Sequence, residues 1–552
     1  NQRDEWWINY PVYQAYLKGA VGLIAVQTQG YAEIDPRALN AQDIAGPEYA
    51  PAFSLSRQDA SYLKELLCPE DPAVSHPSSV AVELNASSWV ERNRPAYNIT
   101  GYLPGTAASE GDDRMILLSA HYDSYFDGFQ DDNCAVSMTF GIIKALIDSG
   151  YQPRYTIAVC ALAAEEWGVC DSKFDWSTGA WNQVFRVHPE WQGRVIADLN
   201  FELPAHAHNT QDAIRSTYES ADFLKHFCEN ITVPKEAYPD GLTVLAPIET
   251  WSDDFSIAIS GIPSMETHYH SQYDNEEFYQ EAVYRFHHEL YTRLLVTLDQ
   301  LALPPLDFSR HFLAMKSSVA DCLAAQSNAP AEVLEEIPAL LESISKVCES
   351  ADLLYEKIQE INNHTVSADF PMVSGLSSKL LHIFRKMQDY FVRLDWQDAV
   401  CFPHTAASQN LCHLEQAVHA LESQNITAAL EALYEVDNNC YAFLFDEEVY
   451  YHFTEYILHQ PKDRLMWGAG RILHHENLYG LVQRLKELDQ MAIPGSLDVE
   501  IRRLEAAIRR QQAYLKDDLH YMKQSVDKIQ ALINDCLETS SHYNKEKNGE
   551  NQ

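Results

Sequence analysis

The stretch Met115-Ile116-Leu117-Leu118-Ser119-Ala120-His121-Tyr122-Asp123-Ser124 decides how this chain folds. A short, nearly continuous apolar run is what a strand buried on both faces of a parallel sheet requires. This one ends in a histidine and a carboxylate. From about Asn133 to Ser149, Val136, Phe140, Ile143 and Ile147 recur at spacings of four, three and four, which predicts an amphipathic helix that Gly150 ends. Tyr155 to Leu162 is the next apolar strand. Strand, helix and strand in this order form a βαβ unit, whose ligands gather beyond the carboxyl ends of the strands. His121 and the pair Glu165-Glu166 fall there.

Outward from this unit the pattern changes on both sides. Toward the N-terminus a helix ending near Lys18, a strand over Ala20–Val26 and a helix from about Asp59 to Leu67 suggest a small α/β or β-rich unit. Beyond Leu303-Pro304-Pro305-Leu306 strand signals fade and amphipathic helices take over. One long helix is marked by Val333, Ile337, Leu340, Leu341, Ile344, Val347 and Leu354, with a kink expected at Pro338. A second runs through Ile501, Leu504, Ile508, Leu515, Leu519, Met522, Val526, Ile529 and Ile533. Such stripes read as the core of a helical bundle. The polar segment from Ser540 to Gln552 is expected to fray. The expected division is 1–85, 86–305 and 306–552.

With 80 acidic against 40 basic residues the net charge is −40, which argues against nucleic acid and anionic membranes as partners. It mildly favours cationic groups such as a peptide N-terminus. No apolar run is long enough to span a bilayer, and the first residues lack a basic region followed by an apolar one, so the chain reads as mature or trimmed. Eleven cysteines without a C-x-x-C pair exclude zinc-finger and thioredoxin readings and leave the disulfide pairing open. Sequons begin at Asn85, Asn98, Asn230, Asn363 and Asn425, a number near chance.

Ligand-type residues follow the apolar runs in order. His121 offers an imidazole for zinc, and Asp123, two residues on, is placed to orient it. In Asp131-Asp132-Asn133 one carboxylate can bridge two metals while a neighbour caps the helix. Glu165 and Glu166 point to opposite sides of an extended chain, so one can bind metal while the other faces the water to be activated. Asp198, Asn200 and Glu202 share one face of a strand predicted over Val195–Glu202, and either acid can be the ligand. His268 and His270 follow the turn Gly261-Ile262-Pro263-Ser264.

In this order the text resembles the family-28 zinc peptidases, the group that contains bacterial leucyl aminopeptidases and glutamate carboxypeptidase II. The resemblance rests on His121 to Ser124, Asp132-Asn133, Glu165 to Gly168, Asn200 to Glu202, Ser252-Asp253, Gly261 to Ser264 and Tyr269 to Asp274. It implies a mixed, mostly parallel sheet flanked by helices, of zinc-peptidase type. Gly19 to Gly22 and Ser54 to Ala60 look like part of a protease-associated domain lacking its first part, and a large helical domain follows. The resemblance further implies two zinc ions, one on His121, Asp132 and Glu202 and one on Asp132, Glu166 and His270, with Glu165 as general base. The family usually has aspartate where Glu202 stands, so Asp198 is the alternative ligand, and His268 is the alternative to His270.

The expected function is a two-zinc aminopeptidase acting on peptides. The first rival is a glutamate-carboxypeptidase-like hydrolase, disfavoured because Met265 to Tyr269 holds no arginine while Glu266 suits a cationic amine. The second is a metal-free receptor or scaffold of the transferrin-receptor type, against which the retained ligands argue. Secretion or display at the cell surface, and a homodimer through the helical domain, complete the expectations.

Overall fold

The run at Met115–His121 is a strand buried at every position. The structure, a computed structural model, describes residues 9–26, 36–39, 50–67, 80–85, 87, 89, 91, 94–166, 169, 172–174, 176–207, 210–266, 276, 279–325, 331–363, 370–491 and 495–549. Its first strands are β1 (Leu23–Val26), β2 (Ala52–Leu55), β3 (Ile99–Leu103), β4 (Met115–His121), β5 (Thr156–Leu162) and β6 (Val195–Asn200). The main sheet has the order β3-β5-β4-β6. β4 runs parallel to both β5 and β6, and β3 is an antiparallel edge. The chain leaves β4 for β5 on one side and returns to β6 on the other. The strand order therefore reverses around β4, and the carboxyl ends of three strands open one crevice.

Alternation along β4 feeds two cores. Ile116, Leu118 and Ala120 pack with Ala135, Met138 and Ile142 of the helix Ala135–Ser149. Met115 and Leu117 meet Ala180, Val184 and Ile257 on the other face. The helix is where the periodicity predicts it, but the buried stripe is Ala135, Met138, Ile142 and Leu146. Phe140 and Ile147, read as core, are 53% and 57% exposed. This helix carries apolar residues on more than one face, so spacing alone selects the wrong stripe.

A second sheet follows, with β7 (Gln211–Ser216) between β8 (Gly241–Leu245) and β9 (Met265–Glu266). The helical region contains Ala331–Asn363 with Pro338 inside it, Phe370–Phe391, Thr405–Glu422 and Asp498–Gly549, the last running into the segment expected to fray. Val333, Ile337, Leu340, Leu519, Met522 and Val526 are buried in the same continuous core as Ile116 and Leu118. The sheet region and the helical region are thus packed as one body of apolar contacts. At the N-terminal end β1 pairs in parallel with β2, and the helix Asn9–Leu17 docks on the helical region through Tyr13. Among the described residues no helix is long and apolar enough to cross a membrane.

A hairpin of β10 (Arg393–Leu394) and β11 (Val400–Cys401) reaches back to the sheet region. There Asp398 forms a buried ion pair with Lys173, and its carbonyl accepts from the Thr250 hydroxyl at 3.0 Å. Burial pushes Asp398 up to about 6 although Lys173 holds it down. Removing one partner of a buried pair leaves the other charge uncompensated. Lys173→Met is therefore expected to cost about 3–5 kcal/mol in urea unfolding, with Lys173→Met/Asp398→Leu recovering most of it. A loss below about 1 kcal/mol for the single variant would show the pair to be dispensable.

Candidate metal centre

His121 is the last residue of β4 and 1% exposed. Its Nδ1 lies 2.8 Å from the carbonyl oxygen of Asp123, which only accepts, so Nδ1 carries a hydrogen and in the neutral ring Nε2 has the lone pair. That Nε2 faces Asp131 Oδ1 at 3.0 Å and Glu202 Oε2 at 3.6 Å. Ligand atoms of His121, Asp131 and Glu202 lie within 4.8 Å of one another, as do those of His121, Glu165 and Glu166. All five residues are buried. Burial opposes charge on His121, but Glu202, Asp123 and Asp131 outweigh it and raise its pKa well above the ordinary value.

The carboxylate turned toward His121 is that of Asp131, not Asp132, which corrects the expectation drawn from the Asp-Asn pair. Asp132 instead accepts the backbone N–H groups of His121 at 3.2 Å and Leu203 at 3.4 Å. It ties the end of β4 to the segment behind Glu202. The two side chains diverge because Asp131 and Asp132 have non-helical backbone, with φ of −109° and −135°, inside the turn Phe129–Cys134. The helix starts only at Ala135, so Asn133 lies in this turn and donates through Nδ2 to the Gly128 carbonyl at 2.6 Å.

Glu165 and Glu166 leave β5 through Ala164, whose φ of 58° is left-handed and unusual for alanine. Neighbours enforce this bend. Asn98 accepts from the Ala163 N–H at 2.9 Å and donates to the Gly179 carbonyl at 3.0 Å, which gives this sequon asparagine a structural role. A Cβ at Gly179 would stand 1.6 Å from the Ala163 oxygen, so only glycine fits the approach. The Asp123 carboxylate accepts the N–H of Glu165 at 3.1 Å and of Glu166 at 3.2 Å. Asp123 therefore positions the glutamate pair, and meets the histidine Nδ1 with its main-chain oxygen at 2.8 Å and its carboxylate at 3.7 Å. Glu165 Oε1 accepts from Ser177 at 3.0 Å. Burial first, then Glu166, Asp253 and Glu202, raise Glu165 well above the ordinary range against the opposing pull of His121.

The two acids of the third strand separate. Asp198 lies 2.8 Å from the Ser119 hydroxyl and 2.5 Å from that of Ser264, and burial pushes it up to about 7. It is an internal brace between β4, β6 and the turn before β9. Glu202 lies beyond β6, which ends at Asn200, and accepts from Ser252 at 2.5 Å. Asn200 Nδ2 donates to the same Ser252 oxygen at 3.1 Å, which accounts for its polar side chain in a core strand. Glu202→Ala is expected to release one metal ion more readily than Asp198→Ala under dialysis against a weak chelator. The opposite order would return the ligand role to Asp198.

Sequence reasoning missed two contributors and left a third, Asp131, as one of two candidates within its pair. Asp131 was hidden beside an equivalent neighbour. Ser177 stands twelve residues beyond Glu165 with no local signal. Asp253, quoted only as part of a Ser-Asp pair, is fully buried with neither carboxylate oxygen in a protein hydrogen bond. Burial first, then Glu202, Asp123 and Asp254, raise its pKa well above the usual range, while His121 lowers it. His268 and His270 lie outside the described residues.

Residues 98–293, which include every residue of this cluster, match the model of Peptidase family M28. The chain carries an M28 peptidase domain. Among solved structures, a zinc aminopeptidase from Bacillus subtilis aligns with 38% of this chain and 51% of its own, at 16% identity and a TM-score of 0.31. A peptidase M28 precursor from Shewanella amazonensis aligns over 51% of this chain and 61% of its own, at 17% identity and 0.37. A glutaminyl cyclase from an Acidobacteriales bacterium covers 36% and 73%, at 16% identity and 0.30. The chain thus spans about half the length of the Bacillus aminopeptidase. No curated protein sequence matches it. The M28 match ends at 293, so most of the helical region lies beyond it.

Proposed function

We propose that the M28 domain is a two-zinc peptidase acting as an aminopeptidase. One observation carries the metal reading: the His121 Nε2 lone pair faces carboxylate oxygens of Asp131 and Glu202 at 3.0 and 3.6 Å. Acceptors gathered in a buried site call for a positive charge between them, which a proton on Nε2 supplies in the metal-free protein and a metal ion would supply in its place. The donor set, imidazole and carboxylate, suits zinc. His121, Asp131 and Glu202 would hold one ion, and Asp131, Glu166 and His270 the other. When bound, such a pair polarises a carbonyl and makes water nucleophilic near neutral pH.

Glu165 takes the proton of the attacking water on the oxygen that Ser177 leaves available, and returns it to the leaving amine nitrogen. Asp123 keeps Glu165 and Glu166 in register through their amides. The carboxylates of Asp123, Asp131, Glu165, Glu166, Glu202 and Asp253, gathered at one site, favour the protonated amine of a peptide N-terminus over a substrate carboxylate. The divisions 1–85, 86–305 and 306–552, the protease-associated reading of the first, export from the cell and a homodimer through the third belong to the same proposal.

Metal analysis with a substrate panel tests it. Two zinc ions per chain and release of residues from free N-termini, with none from N-acetylated peptides, are expected. Cleavage of N-acylated dipeptides ending in glutamate would assign a carboxypeptidase instead. A folded chain that binds no metal would leave a receptor or scaffold.

A further inference from the structure

Away from the metal centre, a cavity of about 640 Å³ opens where the catalytic unit meets the helical region. Small-molecule sites typically occupy roughly 300–1,000 Å³. Its walls come from the turn at Tyr218, the helix Phe308–Ala325, the β10–β11 hairpin and the start of the helix Thr405–Glu422. None of the metal-centre residues lines it.

Aromatic rings form one part of the lining. The Phe402 ring lies near-parallel to Tyr218, with centroids 6.2 Å apart, and to His404 at 6.5 Å. His311 meets Phe402 edge-on at 5.6 Å. Flat aromatic faces of this kind favour a flat ligand.

Its polar groups define the partner's hydrogens. His311 Nδ1 lies 3.0 Å from the fully buried carboxylate of Glu219. A carboxylate accepts, so Nδ1 holds a hydrogen and in the neutral ring Nε2 presents a lone pair. His311 Nε2, His404 Nδ1 and Thr405 Oγ1 are buried without a hydrogen-bond partner, and both histidines are 1% exposed. Buried polar atoms left in this state are costly, and a ligand that satisfies them gains what the apo protein forgoes. Among the described residues no lysine or arginine lines the cavity, whereas Asp321 does. An anion would find no counter-charge. Burial also pushes His404 down to about 4, so it supplies no positive charge near neutral pH.

We propose that this cavity binds a planar aromatic molecule, neutral or cationic, that carries an N–H donor directed at His311 Nε2. The proposal stands independently of the zinc reading.

Calorimetric titration of tryptamine, indole and indole-3-acetate into the full, metal-loaded chain tests it. Tryptamine and indole should bind once per chain, and indole-3-acetate at least about tenfold more weakly, for want of a counter-charge. Ser317→Trp, at an exposed wall position, and Ala314→Phe should both abolish binding by filling the space. His311→Phe, checked for folding by its melting curve, should weaken binding about tenfold, the worth of one buried hydrogen bond. If that variant does not fold, the two filling variants decide. Failure of both tryptamine and indole to bind would overturn the proposal. So would binding that survives Ser317→Trp and Ala314→Phe, which would place the ligand elsewhere, the metal cleft included. Indole-3-acetate binding as tightly as tryptamine would overturn the ligand class.

Discussion

Glu165→Gln is expected to retain both metal ions and lose roughly 10²–10⁴-fold in kcat, the usual worth of a positioned general base. Glutamine keeps the shape of the side chain and the acceptor for Ser177, which lies 3.0 Å from Oε1, so the loop after β5 should stand unchanged. What disappears is the oxygen that takes the proton. The same substitution should act oppositely on stability. Burial and the carboxylates of Glu166, Asp253 and Glu202 hold Glu165 well above its ordinary pKa. The unfolded chain therefore loses this proton at lower pH than the folded one does. The charged group opposes folding once pH exceeds the unfolded value, more so until the folded value is passed. Metal-free Glu165→Gln should accordingly melt higher than metal-free wild type at neutral pH. Full activity in the metal-loaded variant would move the base elsewhere, and an unchanged melting point would show the charge to be relieved by other means.

How much of this was legible in the sequence follows from what each residue must satisfy. β4 and β5 announce themselves because a strand buried on both faces leaves little room for polar alternation, and their order with the intervening helix placed the crevice. His121 and Glu165-Glu166 were found for the same reason: polar groups directly after such strands stand at the crevice. The choices within pairs were not legible. Asp198 and Glu202 share a face by period two, yet β6 ends at Asn200, and Ser119 and Ser264 cover Asp198. The serines come from β4 and from the turn before β9, far apart in sequence. The helix after Asp132 misled in its own way, since Phe140 and Ile147 have the right spacing and face solvent. The cavity beside His311 was invisible to periodicity because its lining is assembled from Tyr218, the helix Phe308–Ala325 and a hairpin near Phe402.

Asp131→Asn is expected to have the largest effect on metal content, because this carboxylate is the one that would be shared by both ions. Its oxygen stands 3.0 Å from His121 Nε2, on the side where Glu202 also lies. An amide in that place removes the charge that holds two cations near each other, so occupancy should fall below two zinc ions per chain and hydrolysis should fail. Asp132→Asn should behave differently. Its carboxylate accepts from the backbone of His121 and Leu203, and an asparagine oxygen can keep one of those bonds. Loss of such support to a metal ligand costs about 10–100-fold in affinity. Zinc stoichiometry after dialysis, followed by competition with a chelator, separates the two positions. If Asp132→Asn empties the site while Asp131→Asn leaves it filled, the bridging role belongs to Asp132, and the orientation of the turn Phe129–Cys134 must reverse when metal binds.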